Sequence, residues 1–212
     1  AGASQMPAGD KYRVYPAFAV AWIASNESFL HDNRIVDLLK LRASFGVTGM
    51  SARLSYDMDK QFNGGGNSYI FVGSTSQYGT AQGALPSTGI EPEREYRSNI
   101  GIELSLFKAL TLDADFFYNK RRNIRISSEG TLSGVLGIGT PDVFTGEVRN
   151  YGWEVALGWR KQIGDFSYGL HGQISYAKNK IIRKEEGYKP HWYMYASGNT
   201  IDRFYGLMAD GL

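Results

Sequence analysis

Between Asn99 and Tyr176 the chain repeats one pattern four times, each a run of about ten residues alternating between apolar and polar or small. Ile100, Ile102, Leu104 and Leu106 alternate with Gly101, Glu103 and Ser105. Leu110, Leu112, Ala114, Phe116 and Tyr118 alternate with Thr111, Asp113, Asp115, Phe117 and Asn119. Tyr151, Trp153, Val155, Leu157 and Trp159 alternate with Gly152, Glu154, Ala156, Gly158 and Arg160. Phe166, Tyr168, Leu170, Ile174 and Tyr176 stand against Ser167, His171, Gln173 and Ser175. A period of two over such lengths means β-strands with one apolar and one wet face. About ten residues is also the length of a tilted strand that crosses a bilayer.

Two earlier segments follow the same rule. Tyr12 to Trp22 alternates through Val14, Pro16, Phe18 and Val20, and Leu39 to Val47 through Leu41, Ala43 and Phe45. Pro16 offers no ladder donor, which points to an edge or a bulge. Between these strands Ser25 or Asn26 is placed to cap a short helical turn running towards Ile35 and Val36.

The connections alternate between tight and long. Phe107-Lys108-Ala109 and Gln162-Ile163-Gly164-Asp165 are tight, whereas Thr48–Ser98, Asn123–Asn150 and the chain from Lys178 onward are long. Membrane barrels show this phase, with short turns on the periplasmic side and long loops outside. Long loops in a compact domain also tend to carry function.

Composition narrows the classes. With no cysteine there is neither a disulfide framework nor a thiolate metal site. A net charge of +2 gives no ground for nucleic-acid binding. Mean hydropathy is −0.31, and no apolar run approaches the length of a membrane helix, but a barrel strand offers only half its residues to lipid. The start at Ala1-Gly2-Ala3-Ser4-Gln5 has no basic-then-apolar leader, and Ala209-Asp210-Gly211-Leu212 has no terminal character, so the chain reads as a slice of a longer one. The alternative is a soluble secreted β-sandwich, a carbohydrate-binding module whose strands also have one apolar face. Sandwich strands are usually about five or six residues long, shorter than those here.

No catalytic constellation, cofactor site or metal site emerges. Asp113 and Asp115 share a strand face, as paired carboxylates in acid–base catalysis do, but they read better as a polar wall. Glu103 and Glu154 read the same way, paired with cations such as Arg160. Asp57, Asp59 and Asn63 lack the glycine and glutamate spacing of a calcium loop, and Gly64-Gly65-Gly66 is not followed by the Lys-Ser/Thr of a phosphate loop. His31, His171 and His191 show no ligand spacing, and no G-x-S-x-G elbow occurs. Lys120, Arg121 and Arg122 read as a charge cluster at an outer rim, near lipid headgroups. The loop aromatics Tyr69, Phe71, Trp192, Tyr193 and Tyr195 are the candidate ligand or partner contacts.

Six stretches, in order along nearly the whole chain, resemble the C-terminal half of the barrel in SusC/RagA-type TonB-dependent transporters. They are Tyr15–Trp22 with Ser25–Phe29, Leu38–Gly49, Glu91–Glu93 leading to Ser98–Glu103 and Phe116–Arg121, Gly146–Glu154, Ser175–Ile181 and Tyr205–Leu212. The resemblance implies an all-β fold, a partial antiparallel transmembrane barrel with long extracellular loops. Residues 1–212 would supply about six strands of a barrel of roughly 22, without the plug and the TonB-contacting segment. It further implies an integral protein of the Gram-negative outer membrane, with no enzymatic activity and no cofactor. Such a transporter imports a glycan or peptide, works with a SusD-like surface lipoprotein, and is opened by TonB through the plug.

Overall fold

The computed structural model describes residues 11–30, 33–50, 59–70, 76–87, 89–128, 133, 135 and 137–206. Among these residues eight strands form: β1 (Ala17–Ile23), β2 (Val36–Met50), β3 (Phe62–Ile70), β4 (Ser76–Gln82), β5 (Glu93–Leu106), β6 (Leu110–Ser127), β7 (Asp142–Ile163) and β8 (Phe166–Arg183). Six of them make a single sheet in the order β1-β2-β5-β6-β7-β8, antiparallel throughout, and β3 pairs with β4 as a separate ribbon. The six alternating segments of the sequence fall on the six strands of that sheet, except that β1 starts only at Ala17 and leaves Tyr12–Pro16 outside it. The β3–β4 ribbon lies inside the long β2–β5 connection, where Gly, Asn and Ser give no apolar alternation to read.

Register sets the faces. Phe18 stands beside Phe45, Leu41 beside Ile102, Ile100 beside Phe116, Phe116 beside Trp153, and Trp153 beside Tyr176. One apolar face therefore runs unbroken across all six strands. On the other face Arg42 stands beside Gly101, Gly101 beside Asp115, Asp115 beside Glu154, and Glu154 beside Ser175. The apolar face stays open, with Ile100 64 % and Leu170 77 % exposed. A sandwich would lay a second sheet over these side chains. Among the described residues the six long strands form one layer instead, and the sandwich alternative loses its core.

The short-turn end is tightly built. Phe107 and Lys108 both have positive φ (55° and 53°), as the two central residues of a I′ turn do, and the Ala109 N–H closes the turn onto the Leu106 carbonyl (3.0 Å). Neither is the Asn or Gly that such a turn favours. The turn is braced from β2, since the Phe107 N–H donates to the Ile35 carbonyl (2.9 Å) and the Lys108 N–H to the Asp37 carboxylate. In the β7–β8 turn Gly164 supplies the positive φ (59°). The β1–β2 connection opens with a 3-10 turn, Ala24–Asn26. Ser25 and Asn26 lie inside that turn and no side chain caps it, contrary to the capping expected from the sequence. Trp22 Nε1 instead donates across the connection to Glu27 Oε1 (3.0 Å). Pro16 immediately precedes edge strand β1, and its carbonyl accepts from the Val47 N–H (2.8 Å), so its missing donor leaves no gap in the ladder.

At the other end the strands outrun the alternation. β6 continues to Ser127 and β7 begins at Asp142, so half of the segment expected to be loop from Asn123 to Asn150 is strand. β7 has 22 residues and reaches roughly 70 Å, about twice the length a bilayer crossing needs. The β6–β7 register shifts between Arg121 and Ile124, where Asn123 adopts positive φ (58°). The Asn123 amide at this bulge donates to Glu91 Oε2 (2.7 Å), fastening the approach to β5.

Candidate functional site

The polar face carries a fixed charge network at mid-sheet. Lys40 Nζ lies 3.0 Å and Arg42 Nη1 2.9 Å from Glu103 Oε1. The second terminal nitrogen of Arg42 pairs with Asp115 and lies 3.9 Å from Asp113. Asp113 and Asp115 are thus on one face, as their spacing predicts, and Arg42 binds them into a wall. Arg160, the cation expected to serve these carboxylates, is not the partner. It lies six residues from Glu154 along β7, roughly 20 Å away, while Lys40 and Arg42 sit on the strand adjacent to Glu103.

Small residues make this wall possible. A Cβ on Gly101 would lie 2.9 Å from Arg42 Cγ and closer still to Arg42 Nε and Asp115 Oδ1. A Cβ on Gly152 would lie 2.7 Å from the Phe117 ring and overlap the Tyr176 carbonyl. The two glycines leave room for side chains from neighbouring strands to lie flat on the polar face. Arg42, Arg97, Asn99, Asp115, Asn119 and Glu154 line an open groove of about 940 Å³ there.

Towards the long-connection end the basic run at residues 120–122 divides between the faces. Arg121 turns to the polar face and pairs with Glu93 (3.2 Å) and Glu95 (3.3 Å). Lys120 and Arg122 turn to the apolar face and share Glu147 at 2.7 and 3.1 Å. Period two forbids three successive residues from forming one cluster on one face, which corrects the reading of all three as a single rim group.

Beyond β8 the chain folds back on itself around Glu186. One carboxylate oxygen accepts from the Ala196 N–H (2.9 Å) and Lys189 Nζ (2.8 Å), the other from the Ser197 N–H (2.9 Å) and hydroxyl (2.8 Å). Burial raises the Glu186 pKa, but these donors, led by the Ala196 N–H, outweigh it and hold the pKa down to about 2. The segment then docks on β8, where the Ile181 N–H donates to the Asn199 carbonyl and the Gly198 N–H to the Ile181 carbonyl (both 2.8 Å).

This fold-back places the loop aromatics. Trp192 lies in a 3-10 turn (Trp192–Met194) and is 75 % exposed. Tyr193 packs against Trp192 (6.0 Å, edge-on), stacks on His191 (5.2 Å) and meets Tyr205 (5.9 Å). Tyr195 turns inward instead, its hydroxyl accepting from the Lys189 N–H (3.1 Å) and its ring facing Lys189 Nζ (5.8 Å). Tyr69 lies on β3 opposite Gln77, and Phe71 lies outside the described residues, as do His31 and Asp57. The sequence reading missed Glu186, His191 and Tyr205 as members of this site. Glu186 and Tyr205 are separated from the aromatics they serve by chain reversals that no local pattern announces.

Comparison with known proteins agrees with this architecture. The sequence profile described as "TonB dependent receptor-like, beta-barrel" matches residues 5–205. TonB-dependent receptor P3 of Formosa agariphila is 26% identical over 188 residues, covering 88% of this chain and 18% of that protein. TonB-dependent receptor SusC of Bacteroides thetaiotaomicron is 24% identical over 207 residues, covering 95% of this chain and 20% of the relative. The RagAB peptide importer in its "closed-closed" state shares the fold, with a TM-score of 0.72 at 16% identity over 93% of this chain and 22% of that one. The chain thus spans about a fifth of the length of these relatives. With a match over nearly its whole length and an open antiparallel sheet of the same kind, the chain belongs to the TonB-dependent receptor-like β-barrel family.

Proposed function

We propose that residues 1–212 form one arc of the wall of an outer-membrane transporter that imports nutrient oligomers, glycan or peptide, without covalent chemistry. The observation that carries this reading is the two-faced sheet, apolar and open on one side, charged and polar on the other. In a bilayer the apolar face meets lipid and the Lys40–Arg42–Glu103–Asp115 wall faces the lumen. The short turns then lie at the periplasmic side and the β3–β4 ribbon, the β6–β7 connection and the Glu186 segment outside. The rest of the barrel, the plug and the segment that engages TonB belong to the remainder of a protein about five times as long.

The outer segments face a SusD-like surface lipoprotein and the captured oligomer. Trp192 and Tyr193, joined by His191 and Tyr205, form an aromatic platform suited to a sugar ring or an apolar peptide side chain. Tyr69 and Phe71 are further candidate contacts for the same oligomer. Tyr195 supports the platform through Lys189.

The test uses the full-length protein in its own host. Deleting the gene is expected to abolish growth on the oligomer it imports, and the intact gene to restore it only when TonB is functional. The protein is expected in the outer-membrane fraction, released by detergent alone, and to co-purify with a surface lipoprotein. Recovery as a detergent-free soluble monomer, or growth independent of TonB, would sink the proposal.

A further inference from the structure

Across the outer part of the apolar face three cations stand side by side. Lys120 on β6 is directly opposite Arg149 on β7, and Arg149 directly opposite Lys180 on β8. Lys178 lies one step nearer the apolar band, beside Tyr151. Like charges directly opposite in a sheet repel. Glu147 answers Lys120 and Arg122. Among the described residues no carboxylate pairs with Arg149, Lys178 or Lys180, and the Nε of Arg149 is buried without a hydrogen-bond partner. These three cations line a cleft of about 450 Å³ floored by Phe116, Tyr118 and Tyr151. The fold-back loop closes its far side with Asn199 and Thr200. Immediately below lie Trp153 and Tyr176, stacked 6.3 Å apart across the strands.

We propose that this cleft binds the phosphate of an anionic lipid headgroup in the outer leaflet. The inference rests on the reading that the apolar face meets lipid. Three features point to a lipid rather than a free anion. The cations face the same side as the apolar band, not the lumen. The cleft opens directly above aromatic side chains that suit the headgroup level. Its floor is aromatic, so an acyl-linked headgroup leaves the phosphate among Arg149, Lys178 and Lys180 while its chains run down over Phe116 and Trp153. A bound phosphate removes the repulsion between Arg149 and Lys180.

Native mass spectrometry of the full-length protein in detergent tests this with phosphatidylglycerol, phosphatidylcholine and inorganic phosphate as probes. One phosphatidylglycerol is expected to bind tightly, with phosphatidylcholine and inorganic phosphate much weaker. The double substitution Arg149→Gln with Lys180→Gln is expected to weaken that binding at least about tenfold. Arg160→Gln, a cation on the polar face, is expected to leave it unchanged. Heat-modifiable migration in gels checks that each variant is a folded barrel. Equal binding of the two lipids, saturation by inorganic phosphate at the same concentration, or an unaltered folded double variant each overturns the proposal. A protein absent from the outer membrane defeats the barrel reading itself, whereas a folded outer-membrane barrel without lipid preference defeats only this inference.

Discussion

Arg42 on β2 reaches over Gly101 on β5 to pair with Asp115 on β6, so one side chain ties three strands together across the polar face. The pairing depends on what Gly101 lacks. Gly101→Val is expected to push Arg42 off Asp115 and to cost about 1–3 kcal/mol. Arg42→Ala alone is expected to cost about 1 kcal/mol, because the pair is partly open to water. In the Gly101→Val background Arg42→Ala should then cost almost nothing further. Urea unfolding of the full-length barrel in lipid gives all four corners of this cycle, and strictly additive costs would mean that Gly101 does not gate the contact.

The two faces of β7 make opposite predictions. Leu157 stands between Leu112 and Gly172 on the apolar face. Leu157→Arg is expected to cost about 2–4 kcal/mol near the bilayer midplane and to impair assembly. Ala156 stands between Asp113 and Gln173, where an arginine finds a carboxylate partner, so Ala156→Arg should assemble normally. Heat-modifiable gel migration after folding into liposomes distinguishes them, and equal sensitivity would reverse the assignment of faces.

The Phe107-Lys108 turn is held in a conformation that neither residue favours. Replacing the pair by Asn-Gly is expected to raise stability by about 0.5–1 kcal/mol, since the backbone donors to Ile35 and Asp37 are kept. Asp37→Ala should act in the opposite direction by leaving the Lys108 N–H without its carboxylate. The unfolding midpoint of the same barrel preparation reads both changes.

Glu186 makes its segment acid-resistant down to a definite limit. Its folded pKa of about 2 lies below the ordinary value of 4.5, so the ionised form stabilises the fold. That stabilisation is complete above about pH 4.5 and drains away as pH falls towards about 2. Hydrogen exchange at the Ala196 and Ser197 amides is expected to stay slow at pH 5 and to quicken below pH 3 after correction for intrinsic rates. Glu186→Gln should show the quickened exchange already at pH 7.

The sheet was legible because its alternation has a physical cause. Wherever one face meets an apolar medium and the other does not, period two is enforced, and from Phe18 to Tyr176 the six strands follow it. Where both faces are wet the constraint vanishes, so Asn123–Ser127 and Asp142–Asn150 look like loop although the strands continue through them. The β3–β4 ribbon was hidden for the same reason. Trp192 and Tyr193 could be singled out as exposed loop aromatics. The platform they share with His191 and Tyr205 is set by Glu186 and by docking onto Ile181, contacts that depend on a reversal of the chain rather than on any spacing along it.

The length of β6, β7 and β8 has a mechanical consequence. Their hydrogen-bonded outer halves stand above the apolar band as a stiff parapet, and the connecting segments perch on its crest. A load on that crest would pass into the paired strands below, so the height of the connecting segments is fixed by backbone pairing. The tips can then change residue by residue while the crest that carries them stays where it was.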